Sequence, residues 1–202
     1  MGMALAIVTL GDENIARVLA DPPLIWRVVA PDAPELYEDA RKAQAGSPSF
    51  LGRLFGRTPS APPSADLTLG EHEGAETDLD KAWHGIHYLL TGTGEGGEQP
   101  WAFLMDGGQP AGDIEVGYGP ARLFTSEQTR SILDAVELLT VDELRARFHP
   151  DDMTAQEIYP EIWSRGEPEE NTLGYLLEHF GTLLTFLRRA VETDMGIVVS
   201  LT

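Results

Sequence analysis

The sequence predicts an α/β fold, with α+β as the alternative: one compact domain over residues 1–202, in which helices cover a mixed sheet of few strands. Three observations lead there. Short β-branched apolar runs stand near both ends of the chain, at Ile7-Val8-Thr9 and Ile197-Val198-Val199. Segments with apolar spacings of three and four residues fill the interval between them. The 202 residues, 42% of them apolar, suffice for one sizeable core.

Residues 3–10 read as a buried strand that ends at Gly11, after which Asp12 is placed to cap a helix running to Ala20. Pro22-Pro23 stops that helix and presets the next, over residues 24–30, which Pro31 breaks; a third covers 34–44. Between residues 46 and 65 the composition turns to glycine, serine and proline, with Phe50, Leu51, Leu54 and Phe55 as an apolar island flanked by Arg53 and Arg57. This excursion reads either as a lid or docking loop, or as an insertion lying back on the body. A helix follows over 78–90, and Gly92, Gly94, Gly96 and Gly97 mark a loop after it. The apolar run 101–105 is of undecided type. Thr125 with Gln128, and Thr140 with Glu143, have the spacing of capping boxes for helices over 126–139 and 141–148, and Thr154 with Glu157 suggests one further short turn. Asn171 is placed to cap a last helix through about Thr193, whose Leu173, Leu176, Leu177, Phe180, Leu184 and Leu187 form one stripe. Residues 195–201 supply the closing strand.

Charge and composition remove several function classes. With 14 basic and 33 acidic side chains the chain carries a net charge of -19, which repels nucleic acid and anionic lipid; a basic protein partner or a cationic ligand is favoured instead. Cysteine is absent, so disulfides and thiolate chemistry are excluded. The first ten residues are apolar but lack a basic region, and no run reaches the ~18 apolar residues that span a bilayer. A cytoplasmic location is expected.

The helix over 78–90 carries the most chemistry. At about 100° per residue, Asp80, His84, His87 and Thr91 fall along one edge, beside an apolar stripe of Leu79, Ala82, Trp83, Ile86 and Leu90. Asp80, His84 and His87 at those spacings could converge on a divalent ion such as zinc, with Glu71, His72, Glu73, Glu76 or Asp78 adding a ligand. The competing reading, histidines hydrogen-bonded to a carboxylate or backbone carbonyl, is preferred, because the spacing departs from metallohydrolase helices. No metal or other cofactor is expected. Gly117-Tyr118-Gly119-Pro120-Ala121-Arg122 offers a tight turn and a planar guanidinium suited to a carboxylate or phosphate, so Tyr118 and Arg122 join Asp80, His84 and His87 as candidate ligand-binding residues. Tyr159-Pro160-Glu161-Ile162-Trp163 is suited to closing the core or lining a pocket, and His149 is a lone histidine in an acidic turn. No Gly-x-Ser-x-Gly elbow exists, and paired carboxylates are too common here to be diagnostic.

Several separated blocks occur together: Met1-Gly2-Met3, Leu79-Asp80-Lys81-Ala82-Trp83-His84 followed by Leu89-Leu90-Thr91-Gly92, the Gly117 to Arg122 block, Tyr159-Pro160-Glu161-Ile162-Trp163 and a closing strand. In this combination the chain resembles the YfbM-like family, small bacterial proteins grouped as a domain of unknown function. The resemblance covers nearly everything outside 46–65. It implies a three-layer α/β fold and no established activity, so it assigns no catalytic residue. Two functional readings follow from the residues. The first is a non-enzymatic interaction module, immunity- or antagonist-like, engaging a basic protein partner. The second is a small enzyme or ligand receptor that gathers Asp80, His84, His87, Tyr118 and Arg122 in one pocket, with or without a metal.

Overall fold

The computed structural model describes residues 2–46, 67–164 and 169–202. The 46–65 excursion therefore lies, apart from Gly46, outside the described residues. The chain begins with β1 (Leu5–Leu10) and α1 (Asp12–Ala20), followed by a 3-10 turn (Pro22–Ile25), α2 (Trp26–Val29) and α3 (Pro34–Gly46). Next come β2 (Glu76–Asp78), α4 (Ala82–Thr91), β3 (Gln109–Gly117) and β4 (Gly119–Phe124). Four helices then precede the last strand: α5 (Ser126–Val136), α6 (Val141–Arg147), α7 (Pro150–Ala155) and α8 (Glu169–Glu192), then β5 (Gly196–Leu201).

The five strands form one sheet in the order β2-β1-β5-β4-β3, and every neighbouring pair is antiparallel. The expected mixture of parallel and antiparallel pairs is thus replaced by antiparallel pairing throughout. The reason lies in the connections: β3 and β4 join through a tight hairpin at Tyr118, and β1 meets β5 head to tail rather than through a crossover helix. Helices cover both faces, which gives the three layers that the YfbM-like resemblance implies.

Side-chain alternation along the central strands divides the core in two. Leu5, Ile7, Phe124, Ile197 and Val199 face a large apolar cluster shared with α4, α5 and α8. Val8, Leu10, Leu123 and Val198 face a smaller cluster with α1, the 3-10 turn and Tyr37 of α3. Because β1 and β5 are buried on both faces, their sequences read as continuous apolar runs.

Several helix starts differ from the sequence expectation. Both capping boxes are present, Thr125 with Gln128 and Thr140 with Glu143. Asp12 does not cap its own helix; its carboxylate accepts from the Ser126 backbone N–H at 2.8 Å and hydroxyl at 2.9 Å, satisfying the first turn of α5. Helix α8 begins at Glu169, so Asn171 lies inside it. The turn assigned to Thr154 belongs to α7, which Pro150 opens, and Glu157 follows it with φ at 54°. The apolar run 101–105 forms turns, not a strand or helix.

Helix α4 is buried along its whole length from Ala82 to Leu90. It keeps Gly85 in its interior despite the ~1 kcal/mol helical disadvantage of glycine relative to alanine. A Cβ there would stand 2.7 Å from Leu176 Cδ2 and 2.8 Å from Trp163 Cη2, so the missing side chain is what lets α8 approach. Gly85→Val is expected to destabilise the protein by about 1–3 kcal/mol through overpacking. Urea unfolding of the variant measures this, and an unchanged midpoint would contradict the packing described.

Candidate functional site

The residues singled out on the α4 segment do not share one helical edge. Helix α4 starts at Ala82, and Asp78 belongs to β2. Asp80 sits between them in a left-handed turn with φ at 43°, held by its own N–H donating to Asp78 Oδ1 at 2.5 Å. From there its carboxylate turns to the last long helix and accepts from the Tyr175 hydroxyl at 2.9 Å. Burial first, and Asp80 second, push the Tyr175 phenol up to about 12. Asp80 is therefore corrected from a partner of His84 and His87 to a tie between the β2–α4 turn and α8. Among the described residues no three His, Asp or Glu side chains are grouped to hold a metal ion, so the candidate trio of Asp80, His84 and His87 is not assembled.

His84 has both ring nitrogens engaged. The Tyr159 backbone N–H donates to Nδ1 at 3.0 Å, which makes Nδ1 the acceptor; Nε2 then carries the proton and donates to the Gly94 carbonyl at 2.8 Å. The ring also stacks on Trp83 with centroids 4.8 Å apart and planes 6° from parallel. Burial lowers the pKa of His84, against the opposing influence of the Gly94 hydrogen bond and Glu95. Its lone pair is occupied, so this imidazole fastens α4 to two loops and has nothing left to offer a cation.

His87, one turn further on, is fully buried, and neither ring nitrogen has a hydrogen-bond partner. The Gly96 carbonyl is near enough to favour the charged ring electrostatically without meeting hydrogen-bond geometry. Burial dominates, with His84 and Arg122 acting in the same direction and Gly96 and Asp106 opposing, and the pKa falls to about 4.

Arg122 projects from β4 beneath the 101–107 turns. Its Nη1 donates to the carbonyls of Phe103 and Asp106, both at 2.8 Å, and its Nη2 to that of Leu104 at 2.6 Å. Burial draws the guanidinium down to about 10, partly opposed by Asp106. The fork that sequence reasoning offers to an anionic ligand instead gathers carbonyl oxygens that turns leave unpaired. Tyr118 stands apart at the tip of the β3–β4 hairpin, 59% exposed. The structure thus brings His84 and His87 beneath the glycine-rich 92–97 loop, with Arg122 near enough to act on the charge of His87 but held by the 101–107 turns, while Asp80 and Tyr118 lie elsewhere.

Other polar nodes were not singled out in the sequence as partners. The Glu73 carboxylate accepts from the Gly11 N–H at 2.6 Å, the Gly70 N–H at 2.5 Å and Asn14 Nδ2 at 2.7 Å, which fixes the segment before β2 against α1. Tyr88 donates to Asp152 at 2.5 Å, and Arg147 donates to the Leu89 and Leu90 carbonyls at the end of α4. Their sequence separations of 57 to 64 residues leave no local pattern to read. In the Tyr159 to Trp163 block, the Tyr159 hydroxyl accepts from the Met3 N–H at 3.2 Å and Trp163 Nε1 donates to the Ile158 carbonyl at 2.6 Å, so the block closes the core.

Residues 1–200 match the family described as a domain of unknown function, DUF1877. The chain belongs to this family. Among solved structures it is similar to YfbM from Escherichia coli, a protein of unknown function, with a TM-score of 0.62 and 17% identity over 98% of this chain and 99% of that one. That likeness is one of fold, and it agrees with the YfbM-like resemblance carried by the sequence blocks. No curated protein matches the chain. Among the described residues no helix is long and apolar enough to cross a membrane. The family carries no activity to transfer.

Two outcomes follow from this geometry. Arg122→Lys cannot reproduce a planar fork, and Arg122→Ala removes every donor, so thermal stability should fall in the order wild type, lysine, alanine, with the alanine variant losing about 3 kcal/mol or more. Limited proteolysis within 100–108 reads the same loss locally. For His87 the unfolded ring titrates near 6.5 and the folded ring near 4. Above pH 6.5 neither state binds the proton. As pH falls through this window the unfolded chain takes it first, and stability drops by about 3 kcal/mol, with His84 adding loss in the same direction. His87→Leu should remove the His87 share of that slope and raise stability at neutral pH by about 1 kcal/mol, as measured by urea unfolding at several pH values; a large loss at neutral pH would show that the ring has a partner.

Proposed function

We propose that the protein is a non-enzymatic binding module that engages a basic protein partner in the cytoplasm, as an immunity protein or antagonist would. One observation carries the reading. The chain holds 33 acidic against 14 basic side chains, while the groups best suited to chemistry at the candidate site are withdrawn: His84 and Arg122 hydrogen-bond to backbone, and His87 is enclosed. What remains exposed to a second molecule is mainly carboxylate. A surface of that sign accelerates encounter with a cationic partner and resists nucleic acid. Absence of cysteine suits a reducing compartment. Leu138 and Val141, 76% and 52% exposed between Glu137 and Asp142 on the α5–α6 turn, add apolar contact within such a surface.

Crosslinking followed by affinity recovery from the native cytoplasm tests the proposal. The expected result is a basic protein recovered at low ionic strength and lost at high salt, as screening shortens the reach of the acidic field. Recovery of nothing salt-sensitive would sink it.

A further inference from the structure

The smaller of the two cores ends in an open apolar trough. Pro22 and Trp26, Leu36 and Ala40 of α3, and Ile114 of β3 line it, around a volume of about 810 Å³. Local backbone geometry creates it. Gly112 has φ at 60°, and Pro22 Cγ lies 2.9 Å from where a Cβ would stand, so the 3-10 turn is pressed onto the edge strand there. Between Pro110 and Glu115 the pairing with β4 is irregular. This bulge disrupts the sheet edge and disfavours addition of another strand, so the trough, rather than the edge, is what a second molecule can use.

The ionisable side chains that line it are of one sign. Asp39 and Asp113 are the only ionisable side chains among its described lining residues, and both are exposed. Asp39 is paired with Lys42 at 3.0 Å, but both groups are 72% exposed, and such a surface pair is easily exchanged. Asp113 has no ion-pair partner among the described residues. An apolar floor with a carboxylate on each side matches a segment whose apolar face is bordered by lysine or arginine. A second copy of this chain fits poorly, because it would bring its own charge of -19 to the same acidic rim. Its exposure to solvent also distinguishes the trough from a pocket that encloses most of a small ligand.

We propose that this trough is where a cationic, amphipathic segment of a protein partner docks, its apolar side chains on Trp26 and Ile114 and its basic groups on Asp39 and Asp113. This deepens the binding-module reading and rests on it.

The test titrates the intact, isotope-labelled chain with two synthetic helical peptides of identical leucine positions, one with lysine and one with glutamate elsewhere, at low salt. Expected are amide and indole shifts centred on Trp26, Ala40 and Ile114 with the lysine peptide and none with the glutamate peptide. Asp39→Lys with Asp113→Lys should weaken binding tenfold or more. Asp134→Lys with Glu178→Lys, an equal charge change on helices of the opposite layer, should weaken it less than threefold. Shifts spread over the acidic surface, equal loss in both double variants, or binding of the glutamate peptide would overturn the proposal. So would nuclear Overhauser contacts from Phe50, Leu51, Leu54 or Phe55 filling the trough in the free chain. A native partner that crosslinks equally to wild type and to the Asp39/Asp113 variant would overturn the trough alone and leave the binding module standing.

Discussion

The pairing of β1 with β5 is the constraint on which the rest of the molecule depends. Six residue pairs, from Leu5 opposite Leu201 to Leu10 opposite Gly196, join the two strands at the centre of the sheet, and both faces of the pair are buried. Each strand supplies alternate side chains to two separate cores, so a slip of one residue would exchange the whole set between them. The helices of both layers take their positions from this shared wall. Beyond the strands, Ala4 and Thr202 exchange backbone hydrogen bonds of 2.8 and 2.9 Å, extending the ladder at that end.

Around this wall the loops are held by buried or half-buried polar side chains that reach far along the chain. Glu73 fastens the approach to β2, Arg122 gathers the carbonyls of the turns before β3, and His84 joins α4 to Gly94 and Tyr159. In each case a single side chain satisfies several backbone groups that irregular structure leaves unpaired. The same residue types in an open cleft would be natural catalytic candidates. Here their hydrogen-bonding capacity is directed at the protein itself.

What the sequence reveals, and what it hides, follows from the range of the interactions concerned. Local signals are legible: β-branched runs for β1 and β5, the Leu173 to Leu187 stripe for α8, and two capping boxes whose partners are three residues apart. The hairpin of β3 and β4 is not, because Gln109–Gly117 mixes proline, glycine and acids on an edge strand with a bulge, and no alternation survives. Periodicity also extends α4 too far toward its start. Asp80 fits the helical spacing on paper, yet a left-handed turn and a bond from Tyr175, 95 residues away, place it elsewhere. Whether His84, His87 and Arg122 face a cleft or the backbone depends on tertiary packing that one-dimensional spacing does not contain.

The placement of β5 has a bearing on how the molecule is made. During synthesis β1 emerges well before β5, since residues 11–195 lie between them, and among the described residues only the three-residue β2 can pair with it in that interval. Until β5 emerges, both flanks of the future wall lack their common partner, and α1 and α4 have no complete surface to settle on. Nascent chains of this protein are therefore committed to a late, concerted closure, and the long interval before it is when an apolar strand such as β1 most needs shielding by chaperones.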